Sequence, residues 1–288
     1  MSLSTKDLVL APEAFIDLQL HTTYSDGVWA PEQLLDYLVS ENFGLAAITD
    51  HDRVDITATL QGLAREKDMP LLVAVEMTAE WRGEMTDVLC FGFDPERNDL
   101  NELAQDVIRR QKENTREVYE NLIKQGSQFS QDTDELAEIL EKPSAQQLHE
   151  LVTLVKRYGY GTGDPPAGKI VLGAGGAFAT TDIAQIVEAG HRNGAICIIA
   201  HPGREDGFVT YDVQKLDDLR QEVPIDGLEA HYPVHSSAQT EMFLEYARHH
   251  NLLVSSGSDS HKPDKPPLKY PAKLSQALLE RLQIQIRE

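Results

Sequence analysis

Seven short apolar stretches of this chain are each followed, or opened, by side chains that can ligate metal ions. DLQLHTTYSDG carries Asp17, Gln19, His21 and Asp26, and ITDHD carries Asp50, His51 and Asp52. A third stretch ends in Glu76 and a fourth opens at Asp87. AHPGRED brings His201 and Arg204, LEAHYPVHS brings Glu229, His231 and His235, and GSDSH brings Asp259 and His261. A single histidine after a strand more often caps a loop or completes a hydrogen bond than it holds a metal. Repetition over so many stretches makes that explanation poor. Imidazole and carboxylate from separate segments are the donor set of a multinuclear hydrolytic centre. Asp50 and Asp52 have a second reading, as helix caps or as residues that hold a ligand in place. His231 alternates with Glu229 and is ambiguous. His149, His191, His249 and His250 lie on helical stretches among charged neighbours and read as surface residues.

The elements that must position these side chains are legible as alternating patterns. Residues 15–20, 45–49, 71–75, 88–93, 195–200, 227–230 and 252–256 are short and almost continuously hydrophobic, as strands buried on both faces should be. Residues 30–43, 55–67, 181–193, 211–222 and 236–251 are amphipathic, and Pro31 suits a first helical turn. Strand alternating with helix predicts an α/β fold with a parallel sheet and covered faces. In a β/α barrel the C-terminal ends of the strands converge on one face, and active sites sit there. Residues 100–160 break the rhythm, with Leu103, Val107, Val118, Leu122 and Ile123 at helical spacing and almost no strand signal. The expected organisation is a barrel from residues 13–98 and 176–288, with residues 99–175 as a mainly helical insertion capping its mouth. A last helix is expected over residues 274–287, closing the barrel bottom or serving a dimer. GDPPAGKI at 163–170 mimics a phosphate-binding loop but lacks the final Ser or Thr, and GAGGAF at 173–178 lacks a third glycine of the dinucleotide fingerprint. Both read as loop.

A net charge of −21 repels polyphosphate, so long nucleic acid is not expected as a partner. A small anionic substrate stays open, because bound divalent cations invert the local field. Cys90 and Cys197 lie far apart in apolar runs and read as buried core residues. No apolar run approaches the ~18 residues that cross a membrane, and the N-terminus lacks a basic and apolar leader. The expectation is a cytoplasmic enzyme.

DLQLHTTYSDG, ITDHD, AHPGR and GSDSH, in this order and spacing, resemble the motifs of the polymerase and histidinol phosphatase (PHP) family over residues 16–262. The helical insert after the fourth strand is similar to the branch that includes nucleotide phosphatases and small-RNA 5′ exonucleases. The resemblance implies a distorted seven-stranded β/α (TIM-like) barrel with two or three divalent metal ions, of manganese, iron or zinc, with magnesium as a further candidate. Carried over by position, the first metal would take His21, Glu76 and Asp259. The second would share Glu76 and add His201. The third would take Asp26, His51 and His261. Arg204 matches a position that holds the substrate phosphate, and His235 one that supports a ligand or contacts substrate.

The chain departs from the family pattern at Gln19, where His-x-His is usual, and at Asp87, where the fourth strand usually gives a histidine. KPS at 142–144 stands where that branch often has Arg-Pro-His. Gln19 and Asp87 remain candidate ligands, and as oxygen donors they shift the expected preference from zinc toward manganese, iron or magnesium. The implied activity is hydrolysis of a small phosphomonoester, a nucleotide or sugar phosphate, by metal-activated water. Arg204 would clamp the phosphate, and His201 or His235 would protonate the leaving alkoxide. One alternative is a 5′ exonuclease acting on short oligonucleotides. Another is a degenerate barrel that binds a metal or phosphate ligand without turnover.

Overall fold

The apolar stretches become strands, and the amphipathic ones become helices. The computed structural model describes residues 5–6, 8–95, 98–130 and 134–287. The strands are β1 Val9–Leu10, β2 Phe15–Leu20, β3 Phe43–Ile48, β4 Leu71–Leu72, β5 Ala74–Trp81, β6 Glu84–Phe91, β7 Thr181–Asp182, β8 Ile196–Ile199, β9 Gly227–His231, β10 Leu253–Ser256, β11 Tyr270–Pro271 and β12 Gln285–Ile286. The helices are α1 Pro31–Ser40, α2 Thr57–Glu66, α3 Leu100–Lys124, α4 Glu135–Glu141, α5 Ser144–Arg157, α6 Ala167–Gly173, α7 Ile183–Arg192, α8 Val213–Glu222, α9 Ser237–His250 and α10 Gln276–Arg281. They fall into two compact units, Met1–Ala104 with Thr181–Glu288, and Gln105–Thr180.

The first unit is α/β. One sheet runs β10-β9-β8-β6-β5-β7 and another β11-β2-β3-β4, while β1 and β12 pair separately. Among the described residues, single backbone bridges, Leu20 to Ser260 and His51 to Glu76, join the two larger sheets. The ladders therefore do not close into the expected seven-stranded barrel. The physical reason lies at the seams, where one partner is a residue of a site-bearing loop, Ser260 or His51, and not of a strand. The strands beside the seams are irregular too: the β2–β3 register shifts between Asp17 and Leu20, and the β9–β10 register between Ser255 and Ser256.

Nor is the sheet wholly parallel. Arg82 and Gly83, at φ 52° and 80°, form the two-residue turn of a hairpin, so β6 runs antiparallel to both β5 and β8. The reversal puts the site-facing residue of β6 early in the strand, at Asp87, opposite Thr78. Glu76 follows Leu72 and Ala74 at alternate positions, and Asp87 precedes Leu89 and Phe91 in the same way, so each shares a face with its apolar neighbours. Those neighbours form one buried cluster with Ile16, Leu18, Ile196 and Ile198. The site rests on that floor. Residues 274–287 are not one helix. After α10 the chain turns at Gln283 (φ 65°) into β12, and Leu278, Leu279 and Ile284 pack into the same cluster.

The second unit is helical. Val118, Leu122, Ile139, Leu151, Leu154, Val155 and Val171 form its core at helical spacing. Part of the expected loop at 163–170 is helical, since α6 begins after Pro166.

Candidate metal centre

Glu76, fully buried on β5, lies among the imidazoles. Its Oε2 is 2.9 Å from His21 Nε2 and 3.8 Å from His51 Nε2. Its Oε1 accepts a hydrogen bond from Gln19 Nε2 at 2.9 Å and is 3.1 Å from His201 Nε2. Asp259 Oδ1 is 3.2 Å from His21 Nε2 and 3.5 Å from His261 Nδ1. Asp26 Oδ2 is 3.2 Å from His261 Nε2 and 4.0 Å from His51 Nε2. Asp87 Oδ2 is 3.6 Å from His201 Nε2. The His21 ring stacks between those of His261 and His51, at centroid distances of 4.2 and 4.8 Å. Three overlapping donor groups result: His21, Asp26, His51 and His261; His21, Glu76 and Asp259; and His51, Glu76 and Asp87. Within each, one ligand atom per residue lies within 4.8 Å of the others.

Neighbouring carboxylates hold the donors in place. Asp50 accepts from the Thr22 N–H at 2.7 Å and from the Thr22 and Ser25 hydroxyls at 2.6 Å, which fixes the loop carrying Asp26. Gly27 completes that loop, because a Cβ there would stand 2.5 Å from the His21 carbonyl carbon. Asp52 accepts from the Thr78 N–H at 3.0 Å and its hydroxyl at 2.7 Å, tying the end of β3 to β5. Asp17 accepts from the Ser258 and Leu268 N–H groups, each at 2.9 Å, and burial pushes its carboxyl up to about 7. Glu229 Oε2 accepts the His201 N–H at 2.9 Å. Gly257 leaves room for that carboxylate, since a Cβ would lie 2.3 Å from Glu229 Oε1. Asp52, His201 and Asp259 have φ of 54°, 27° and 55°. Left-handed backbone at non-glycine residues is the strain that functional sites retain.

The groups expected to act on substrate are placed differently from one another. Arg204 Nε and Nη2 donate to Asp206 at 2.5 and 3.0 Å, and its guanidinium lies 4.3 Å from the Phe208 ring centroid. Burial opposes its charge, but Asp206 and Asp259 raise its pKa above the usual arginine value. His235 has both ring nitrogens engaged. Nε2 accepts the Gly203 N–H at 3.0 Å, which makes Nδ1 the donor to the Ala230 carbonyl at 3.1 Å. His231 is outside the donor groups, and its carbonyl accepts the Gly257 N–H at 3.1 Å. His191 does more than face solvent, since its Nε2 pairs with Asp226 at 2.8 Å beside Cys197.

The sequence reading named Glu229 as a metal-type side chain without assigning it to an ion, and gave no site role to Thr22, Ser25, Thr78, Asp206 and Phe208. A carboxylate inside the otherwise apolar GLEA was the available signal for Glu229. The hydroxyls carried none, because their partners are distant in sequence.

The donor set fits divalent cations. Gln19 Oε1, both Asp87 carboxylate oxygens and Glu229 Oε1 are buried with no hydrogen-bond partner among the described residues, and Glu76 Oε2 and His21 Nε2 face each other at 2.9 Å without a well-formed hydrogen bond. Such atoms are costly unless a cation or other partner meets them. Burial raises Asp87 well above the carboxylate range, and the charges of Glu76 and Asp52 add to it. Burial also opposes ionisation of Glu76, but His51, His201 and His21 outweigh it and hold that group well below its usual value. Two carboxyls so close, pulled in opposite directions, mark a site short of positive charge.

No family model matches the chain. It is 29% identical over 251 residues to a 5′-3′ exoribonuclease of Haemophilus influenzae, covering 86% of this chain and 90% of that one. It is 27% identical over 261 residues to a 3′,5′-nucleoside bisphosphate phosphatase of Chromobacterium violaceum, covering 87% and 88%. The fold resembles a solved structure from Bifidobacterium adolescentis, described as a candidate metal-dependent phosphoesterase, with a TM-score of 0.72 and 23% identity over 94% of this chain and 98% of that one.

Proposed function

Because this chain belongs to the polymerase and histidinol phosphatase family, we propose that it hydrolyses a small phosphomonoester, a nucleotide or a sugar phosphate, at the centre around Glu76. It is a hydrolase and a metal-dependent phosphoesterase. The observation that carries the metal-centred hydrolysis is Glu76 itself, one oxygen turned to His21 and His51 and the other to His201; the choice of a small ester rests on the named activity of the Chromobacterium violaceum relative. A carboxylate placed as Glu76 is could serve donors on both of its sides. His21, Glu76 and Asp259 would hold one ion, Asp26, His51 and His261 another, and Glu76, Asp87 and His201 a further one. Bound divalent ions supply Lewis acidity and bring the pKa of water to about 7.

The remaining residues bind and orient. Asp206 and Phe208 fix the Arg204 guanidinium, leaving Nη1 to donate to a phosphate oxygen. His201 is buried between Glu76 and Asp87 and acts as a ligand, so it does not protonate the leaving alkoxide. His235 has no free nitrogen for that task. It holds the turn from His201 to Arg204, and the leaving group takes its proton from solvent.

A second reading, hydrolysis from the 5′ end of a short oligonucleotide, is favoured by the named activity of the Haemophilus influenzae relative. The net charge of −21 weighs against long nucleic acid away from the centre, but bound cations set the field at the centre itself. Binding without turnover is set aside, because the relatives are named for hydrolytic activities.

The test is phosphate release from mononucleotides, bisphosphates, sugar phosphates and short 5′-phosphorylated oligonucleotides, using chelated and metal-reloaded protein. Release that depends on metal and is fastest on a small ester is expected. Fastest release from oligonucleotides would favour the second reading. Asp259→Asn should lower kcat on the order of 10²-fold or more while the chelated protein keeps its unfolding midpoint, since asparagine tolerates the left-handed backbone at 259. Near-normal turnover in that variant would overturn the assignment.

A further inference from the structure

We propose that Glu76 divides the centre into two unlike compartments, a nitrogen-rich one that takes a softer ion and an oxygen-rich one, built by Asp87 and Gln19, that takes a harder ion. The inference rests on the metal-binding part of the function proposed above and is independent of the substrate.

The two oxygens of Glu76 face different chemistry. Oε2 lies 2.9 Å from His21 Nε2 and 3.8 Å from His51 Nε2. On that side His21, His51 and His261 gather with Asp26, so imidazole dominates the donor group. Oε1 lies 3.1 Å from His201 Nε2, and His201 lies 3.6 Å from Asp87 Oδ2. On this side His201 stands between Glu76 and Asp87, and His51, whose ligand atom lies within 4.8 Å of both carboxylates, is shared with the other side. Gln19 adds an amide oxygen, because its Nε2 is committed to Glu76 Oε1 at 2.9 Å, leaving Oε1 without a partner. Both oxygens of Asp87 are likewise buried and unmet. Glu229 Oε1, also unmet, lies against the space beside Gly257 and the Gln19 Cβ and adds a further carboxylate nearby.

Charged and amide oxygens suit magnesium and manganese, whereas imidazole suits zinc and iron. Zinc outbinds manganese at almost any such site, so the discrimination lies in the ratio of affinities between compartments. With an amide at 19 and a carboxylate at 87, this chain makes the ions on the two sides of Glu76 chemically different.

The experiment reads metal content, not turnover. Chelated protein is dialysed against mixtures of zinc and manganese, bound metals are counted by mass spectrometry, and bound manganese is followed by electron paramagnetic resonance. The wild type should retain manganese at zinc concentrations that already saturate the nitrogen-rich side. Asp87→His should lower the retained manganese-to-zinc ratio on the order of tenfold or more. Gln19→His should move it the same way, and serves if Asp87→His fails to fold. His261→Asp should move it in the opposite direction. Manganese displaced from the wild type in a single step with zinc uptake, or a ratio unchanged in both histidine variants, would overturn the proposal. Unlike metals bound in a protein that releases no phosphate would sink the proposed function and leave this inference standing. Phosphate release from a centre holding two ions of equal preference would do the reverse.

Discussion

The helical unit and the sheet unit bury polar side chains on opposite terms. In the helical unit Thr115 Oγ1 meets Gln147 Oε1 at 2.9 Å, and Gln147 Nε2 donates to the Lys142 carbonyl at 3.0 Å. Glu135 receives Tyr158 Oη at 2.7 Å and Arg157 Nη1 at 2.9 Å. Gln111 Nε2 is the unmet side-chain atom there among the described residues. In the sheet unit, apart from Asn101 Oδ1, unmet atoms among the described residues crowd around Gln19, Glu76, Asp87 and Glu229. Scattered buried polar groups that find partners are part of the structure. A dense cluster that lacks them is a site whose partner is a ligand.

Chelation gives the largest expected effect. Ions present at a thousandfold over their Kd stabilise the folded state by about 4 kcal/mol, or roughly 10 °C at about 2–4 °C per kcal/mol. The metal-loaded wild type should lose that much in a calorimetric scan when chelator is added. Glu76→Gln takes the charge from both sides of the centre, so its midpoint should barely respond to chelator. A full chelator response in Glu76→Gln would mean that Glu76 is not shared between ions.

Tyr158→Phe tests the other unit. It removes the hydroxyl that donates to Glu135 and accepts the Ser130 N–H at 3.0 Å. A loss of about 1–2 kcal/mol is expected in denaturant titration, unchanged by metal or chelator. Dependence on metal would break the contrast between the units.

Most of the centre was legible in the sequence, and much of the geometry around it was not. His21, Asp26, His51, Glu76, His201, Asp259 and His261 follow apolar runs, so strand prediction brought them toward one edge, whereas Asp87 opens its run and reaches that edge because β6 is reversed. The second reading of Asp50 and Asp52 matches their hydrogen bonds to Thr22, Ser25 and Thr78. What escaped depends on contacts between distant segments. The β5–β6 hairpin was written in Arg82–Gly83, but two apolar strands look alike whichever way they run. The register shifts beside Asp17 and Ser255, and the single bridges that join the sheets at Ser260 and His51, are announced by no local pattern. Residues 274–287 read as one last helix, yet Gln285–Ile286 pairs with Val9–Leu10, a segment far away in sequence. His235 looked like an acid because its type allows it. Only the positions of the Gly203 N–H and the Ala230 carbonyl show that its nitrogens are occupied.

The smallest effect sharpens the comparison from the side of charge. Arg109 on α3 donates to Glu113 at 2.8 Å and to Asp106 at 2.6 Å, one helical turn away in each direction. Ion pairs this close also occur at Glu76, where the partners are out of water. Asp106 and Glu113 raise the Arg109 pKa, but all these side chains are exposed, and solvent screens the attraction. Holding long side chains in one geometry also costs rotamer entropy, which offsets the remaining attraction. Arg109→Ala should leave the unfolding midpoint indistinguishable from wild type at both low and high salt. Glu76→Gln should shift it, whereas a salt-dependent loss in Arg109→Ala as large as that of Tyr158→Phe would show that burial is not what separates the two kinds of ion pair.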